Sequence, residues 1–333
     1  MRRASRLLLA SLVLSAGLAR AATFQIVNLD GAGEGFNDPT PRSPVPGNPG
    51  TTLGAQRLNV FNAAAGRWGA SIQSGVTIRV GAQFNVLFCN ASSAVLGSAG
   101  PQAVDRDFPG APVAATWYVI ALSNAIQGSD QDPAGDDIGA QFNSRLDTGD
   151  PNCLGGIPWW YGIGAPAPAG TVDLFTTVLH EIGHGIGVLS LHDLGTGAKF
   201  MGFDDAYLRL LRDESVGLGW SAMNNAQRLT SQVNTGNLTW TGANANSTVP
   251  GFNAGINNGR LRMFAPNPVQ PGSSVSHWDT ALSPNELMEP ILTSTARDYA
   301  TYRLLRDVGW GLLILFKDGF ESGDDDFWSV AVP

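Results

Sequence analysis

The stretch TTVLHEIGHGIG, Thr176 to Gly187, sets His180 and His184 four residues apart, with Glu181 directly after the first. In a helix that spacing puts both imidazoles on one face, one turn apart. Two imidazoles so placed can hold one zinc ion, each nitrogen at about 2.0–2.1 Å. Glu181 is better placed to reach a water on such an ion than the ion itself, which is the position of a general base in metal-assisted hydrolysis. The helix is legible too: Leu174, Val178, Ile182 and Ile186 recur every four residues, Thr171 suits the N-cap and Asp173 the first turn. Gly183, Gly185 and Gly187 each cost a helix up to about 1 kcal/mol against alanine. Close packing against a sheet would explain the first two, and a positive φ where the helix stops would explain Gly187. The plain alternative is a pair of hydrogen-bonded core histidines. Glu181 between them, in a chain of only four histidines, argues for the metal.

Other elements must position this helix. Thr23 to Leu29 alternates like a strand, Leu53 to Ile72 carries Leu58, Phe61, Ala65 and Trp68 at helical spacing, and Val76 to Val80 is β-branched and alternating. Val86 to Cys89 would extend that sheet, and Ile138 to Ser144 would add a strand. Ala114 to Ile126 reads equally as strand or helix. The order predicts an α+β fold: a twisted sheet, a backing helix and an active-site helix, with the site along the sheet's edge. After Gly187 the composition loosens into Asn, Ser, Thr and Gly, with short helices expected over Asp204 to Asp213 and Ala296 to Val308. The division is therefore a leader at 1–21, an N-terminal subdomain at 22–187, an irregular C-terminal subdomain at 188–313 and an acidic, aromatic tail at 314–333.

Arg2, Arg3 and Arg6 precede the apolar run Leu7 to Leu14, and Ala19-Arg20-Ala21 offers a cleavage site, so the leader reads as a secretory signal peptide. The run is too short to span a bilayer, and no later stretch qualifies. Removing the leader takes the net charge from −8 to about −12, sixteen basic residues against twenty-eight acidic. Such a surface repels nucleic acid and anionic lipid. The expectation is a secreted or extracellular protein (or a periplasmic one), monomeric and without stable membrane insertion. Cys89 and Cys153 fit an oxidising compartment. A bridge between them would close a loop of about 64 residues; a free catalytic cysteine is the competing reading, and neither lies in a nucleophile motif. Ser129 to Asp137 holds four aspartates, which a calcium ion or plain solvation would explain.

A catalytic zinc usually keeps three protein ligands, and the remaining histidines are His192 and His277. His192 is near in sequence, but Gly187 would turn the chain away from the helix. His277 lies far off, in GSSVSHWDTALSPNELMEP. With these pieces in order (HEIGHGIG, Ser276-His277-Trp278, then Asn285 to Pro290) the chain resembles the leishmanolysin-type metzincin metallopeptidases, in particular their secreted bacterial relatives. The resemblance covers about Thr171 to Gly187 and Gly272 to Pro290. It implies a zincin-like fold and a chain turn at Gly187. His277 becomes the third zinc ligand after a long insertion, and Met288 sits in a tight turn below the metal without coordinating it. It further implies zinc-dependent hydrolysis of a protein or peptide substrate with Glu181 as base. The chain departs from leishmanolysin in having at most one disulfide and no segment with a latency cysteine before its first strand. Two other functions use the same motif: a zinc-binding surface or adhesive module without turnover, and amidase-like hydrolysis of cell-wall peptides.

Overall fold

The computed structural model describes residues 20–291 and 297–313. Most of the expected signal peptide and the tail at 314–333 lie outside the described residues. Strand β1 (Phe24–Asn28), helix α1 (Leu53–Gly69), strand β2 (Ile78–Asn85) and strand β3 (Gly97–Pro101) come first. Then follow β4 (Val104–Arg106), β5 (Thr116–Val119), helix α2 (Ile120–Gln127) and β6 (Ile138–Asn143). Four of the strands make one sheet in the order β1-β2-β6-β3. The first three are parallel, with Phe24 opposite Ile78 and Val80 opposite Ile138. β3 runs antiparallel on the edge, Ala99 opposite Ala140.

One face of this sheet carries the core. Ile78, Val80, Ala82 and Phe84 alternate inward on β2, as Ile138, Ala140 and Phe142 do on β6. The ring of Phe61 on α1 meets that of Phe142 edge-on at 4.8 Å. Strands β7 (Trp159–Trp160) and β8 (Val172–Asp173) lead into the histidine helix α3 (Leu174–Gly185). Gly185 packs on the Ile138 side chain so closely that a Cβ there would stand 2.4 Å from it. Ile138 and Phe142 point the same way on one strand, so α1 and α3 lie side by side on one face. Trp68 of α1 ties the pair by donating from Nε1 to the Leu179 carbonyl at 2.9 Å.

The second part is built of short pieces: β9 (Asp204–Asp205), β10 (Leu211–Asp213), β11 (Leu218–Gly219), α4 (Asn225–Ser231) and β12 (Leu238–Trp240). After them come α5 (Ala243–Asn246), β13 (Ile256–Asn257), β14 (Arg260–Leu261) and α6 (Tyr299–Val308). Its core is aromatic, with Trp220, Trp240 and Trp278 fully buried. Among the described residues no helix is long and apolar enough to cross a membrane.

Several expectations change. The segment Asp204 to Asp213 holds only a three-residue 3-10 helix, Leu208–Leu210, between two short strands: Asp204 and Asp205 pair with Thr116 and Trp117, and the Asp205 carboxylate takes the Leu191 and Leu208 amides. Tertiary partners there outweigh helix propensity. Val86 to Cys89 does not extend the sheet, because β2 ends at Asn85 and only Cys89 makes an isolated pairing, with Ala94. β2 starts two residues later than expected and runs on through Gly81 and Ala82, which carry no strand signal but pair with Gly139 and Ala140. Ala114 to Ile126 is both things in turn, strand β5 and then α2. Cys89 and Cys153 form a disulfide. The aspartates of 129–137 do not converge on an ion: Asp136 pairs with Arg79 at 3.1 Å, Asp137 takes the Arg79 amide and Asn124, and Asp130 takes the Asp132 amide. Among the described residues the only group of three or more His, Cys, Asp or Glu placed to share an ion is the histidine cluster described next.

Candidate metal centre and cleft

Helix α3 begins at Asp173, whose carboxylate accepts from the Phe175 and Thr176 amides. Thr171, expected as the cap, instead donates its hydroxyl to the Pro168 carbonyl. The stripe Leu174, Val178, Ile182 and Ile186 is fully buried, which fixes the rotation of the helix. His180 and His184 then face the groove between the helix and the chain that returns at 273–289. Gly187 has a φ of 120°, a backbone conformation that glycine adopts without strain, and the chain turns there as expected.

His277 completes the group. Its Nε2 stands 3.1 Å from that of His180 and 3.2 Å from that of His184, and the last two are 3.2 Å apart. Each opposite nitrogen is held by a backbone carbonyl: His180 Nδ1 on Leu287 O at 2.7 Å, His184 Nδ1 on Val188 O at 2.7 Å, His277 Nδ1 on Ser273 O at 2.8 Å. A carbonyl can only accept, so Nδ1 carries the hydrogen and Nε2 the lone pair in all three neutral rings. Burial pushes His180 down to about 3 and His184 to about 4, and holds His277 well below its ordinary value, so the neutral form prevails. Three lone pairs therefore converge where no hydrogen can lie between them, an arrangement that a cation satisfies. Ligands at 2.0–2.1 Å around a tetrahedral zinc are about 3.3 Å apart, close to what is seen. The cluster could hold a metal ion.

The support beneath it is specific. Gly183 does not face the sheet, as expected from sequence, but the floor: a Cβ there would stand 2.8 Å from Met288 Sδ. Met288 is fully buried, and its carbonyl accepts from the Trp278 amide at 2.8 Å, which ties the turn to the residue after His277. Ser190 donates its amide to Ser276 Oγ at 3.1 Å, joining the chain after α3 to the residue before His277. His192 stands apart, Nδ1 3.0 Å from Ser190 Oγ and Nε2 3.2 Å from Gln232 Oε1, with its ring edge-on to Trp220.

The cleft is a cavity of about 560 Å³ lined by His180, His184, His277 and Glu181, with residues 94–99 on one side and residues 271–274, Ser276, Glu289 and Pro290 on the other; His192 also reaches its lining, away from the other three histidines. Glu181 is buried, and the backbone of Ala99 on β3 lies beside its carboxylate. Burial pushes it up to about 8, in the range useful for proton transfer near neutral pH. The edge strand has an open side. Asn143 N donates to Leu96 O and Gln102 N to Asp137 O, so the even positions face β6 and the polar backbone of Gly97 and Ala99 faces the cleft.

β3 is not legible in the sequence, because Gly-Ser-Ala-Gly-Pro carries none of the β-branched or aromatic residues that mark a strand. Glu289 is not marked by the sequence either, although it lies within Asn285 to Pro290. The same holds for the buried Glu286, which accepts from the Ala300 amide at 2.9 Å and the Thr301 hydroxyl at 3.0 Å and so anchors α6 to the turn. No protein family, no curated protein and no solved structure matches this chain.

Proposed function

We propose that the protein is a secreted, zinc-dependent metalloendopeptidase of the metzincin type, similar to leishmanolysin. The observation that carries this reading is the position of Glu181. Its carboxylate sits in the same cleft as three converging imidazole lone pairs, beside the backbone of the edge strand β3. An extended peptide laid along β3 would pair with the outward groups of Gly97 and Ala99, which places its backbone across the histidines. His180, His184 and His277 would hold the zinc ion, which when bound supplies a Lewis acid and lowers the pKa of water toward neutrality. Glu181 takes a proton from the attacking water and delivers it to the amine that leaves. The three carbonyls on the Nδ1 atoms keep the imidazoles in register through the cycle. Met288 shapes the floor and binds nothing.

A non-catalytic zinc-binding module would use the same three histidines but has no use for a buried carboxylate beside them. Secretion is in keeping with the disulfide. The test is a mixed peptide library incubated with purified protein and read by mass spectrometry. Internal cleavage that stops with a zinc chelator and returns with added zinc is the expected result. Intact peptides, or cleavage indifferent to the chelator, would set the proposal aside.

A further inference from the structure

We propose that Glu289 is a specificity-determining residue of the cleft, binding the ammonium or guanidinium of a lysine or arginine next to the bond that is cut. This rests on the endopeptidase reading and adds a substrate class to it.

Glu289 follows Met288 directly and is 4% exposed, yet it lines the same cavity as Glu181 and the three histidines. Its Oε1 accepts from the Glu286 amide at 2.8 Å. Among the described residues it makes no ion pair, and no lysine or arginine lines the cavity. The acids around it are already satisfied: Asp279 pairs with Arg262 at 2.5 Å, and Glu286 is held by Ala300 and Thr301. Glu181 lies beside the backbone of Ala99. The turn does not need the charge, since the amide oxygen of a glutamine could accept from Glu286 equally well. Burial pushes the Glu289 carboxyl up to about 7, because an ionised carboxylate with one hydrogen bond and no counter-ion is costly out of water; a cation brought by a ligand offsets that cost and favours the ionised form. The wall opposite leaves room for a long side chain, because it is built of Gly97, Ser98 and Ala99.

The probes are quenched peptides, blocked at both ends, that carry lysine, norleucine or glutamate at each position beside the scissile bond; a second set has free N-termini. The zinc-loaded wild type should cleave the lysine peptide with a kcat/KM at least about tenfold above the norleucine peptide at one of these positions. Glu289→Gln should bring that ratio to about one and leave the norleucine peptide within about threefold, and Glu289→Lys should favour glutamate. A ratio already near one in the wild type, or an equal loss on all peptides in Glu289→Gln, would overturn the proposal. A preference seen only with free N-termini would also overturn it, by assigning Glu289 to the α-amino group. Fluorescence anisotropy of the same blocked peptides on zinc-loaded Glu181→Gln, with and without Glu289→Gln, gives a second readout. If the wild type cleaves nothing, the endopeptidase reading fails while this binding comparison still decides the role of Glu289: equal affinity for lysine and norleucine peptides rejects it, and charge-dependent affinity lost in Glu289→Gln upholds it.

Discussion

Each imidazole of the cluster is held through Nδ1 by a carbonyl, so the ligand set is built before any ion arrives. That distinguishes His277 from His192, whose nitrogens are both engaged elsewhere. His277→Ala should lose most bound metal after dialysis, measured by atomic emission, while His192→Ala keeps its metal and loses about 1–3 kcal/mol of stability from a broken buried network. The reverse would exchange their roles. His192 also makes a pH prediction. Burial pushes it down to about 4 from an ordinary 6.5, so the stability tied to its neutral form is fully present above 6.5. That stability is lost as pH falls from 6.5 toward about 4. The difference in melting temperature between wild type and His192→Gln should therefore shrink over that interval, and a constant difference would contradict the assignment. At this scale the sequence was informative wherever a side chain has a unique chemistry. Histidines at helical spacing with a glutamate between them announce themselves, and so does a glycine at a helix end. Glu289 and Glu286 do not, because an acidic residue in a motif says nothing about whether it will be buried with a partner or without one.

The helix and the edge strand work as a pair, and the glycines set their distance. Gly185 lets α3 down onto Ile138, and Gly183 admits Met288 from below. Alanine is the better helix former by about 1 kcal/mol, yet Gly185→Ala should destabilise the protein by about 1–3 kcal/mol in urea unfolding, because its Cβ meets the Ile138 side chain. A stabilised variant would show that the close approach is not needed. β1, α1, β6 and α3 were legible from period and composition. β3 was not, since what makes it a strand is the neighbour at Ala140 rather than its own residues. The small strands of the second part were illegible for the same reason: Asp204 and Asp205 are held by Thr116 and Trp117, about 90 residues earlier in a chain whose local propensities point elsewhere.

Across the whole molecule, the site is shared. The first part supplies the sheet edge and the helix, and the chain at 271–290 brings the third histidine, the floor and Glu289. Trp310 closes the arrangement by donating from its indole to the Ile186 carbonyl at 2.7 Å, which fastens the segment after α6 to the end of the histidine helix. The Cys89–Cys153 bridge spans 64 residues of sequence and flanks the wall of the cleft at Ala94. Chain-entropy arguments give such a loop roughly 4 kcal/mol, so reduction should lower the melting temperature by several degrees, and the native protein should show no titratable thiol. Two free thiols before reduction would refute the bridge.

The central claim is that Glu181 is the base beside a zinc held by His180, His184 and His277. The most direct measurement determines zinc content and peptide turnover on the same samples of wild type and Glu181→Gln. Both should hold one zinc per chain, with turnover in the variant lower by at least about a hundredfold. Wild-type turnover in Glu181→Gln, or a fully active wild type without zinc, would contradict the claim.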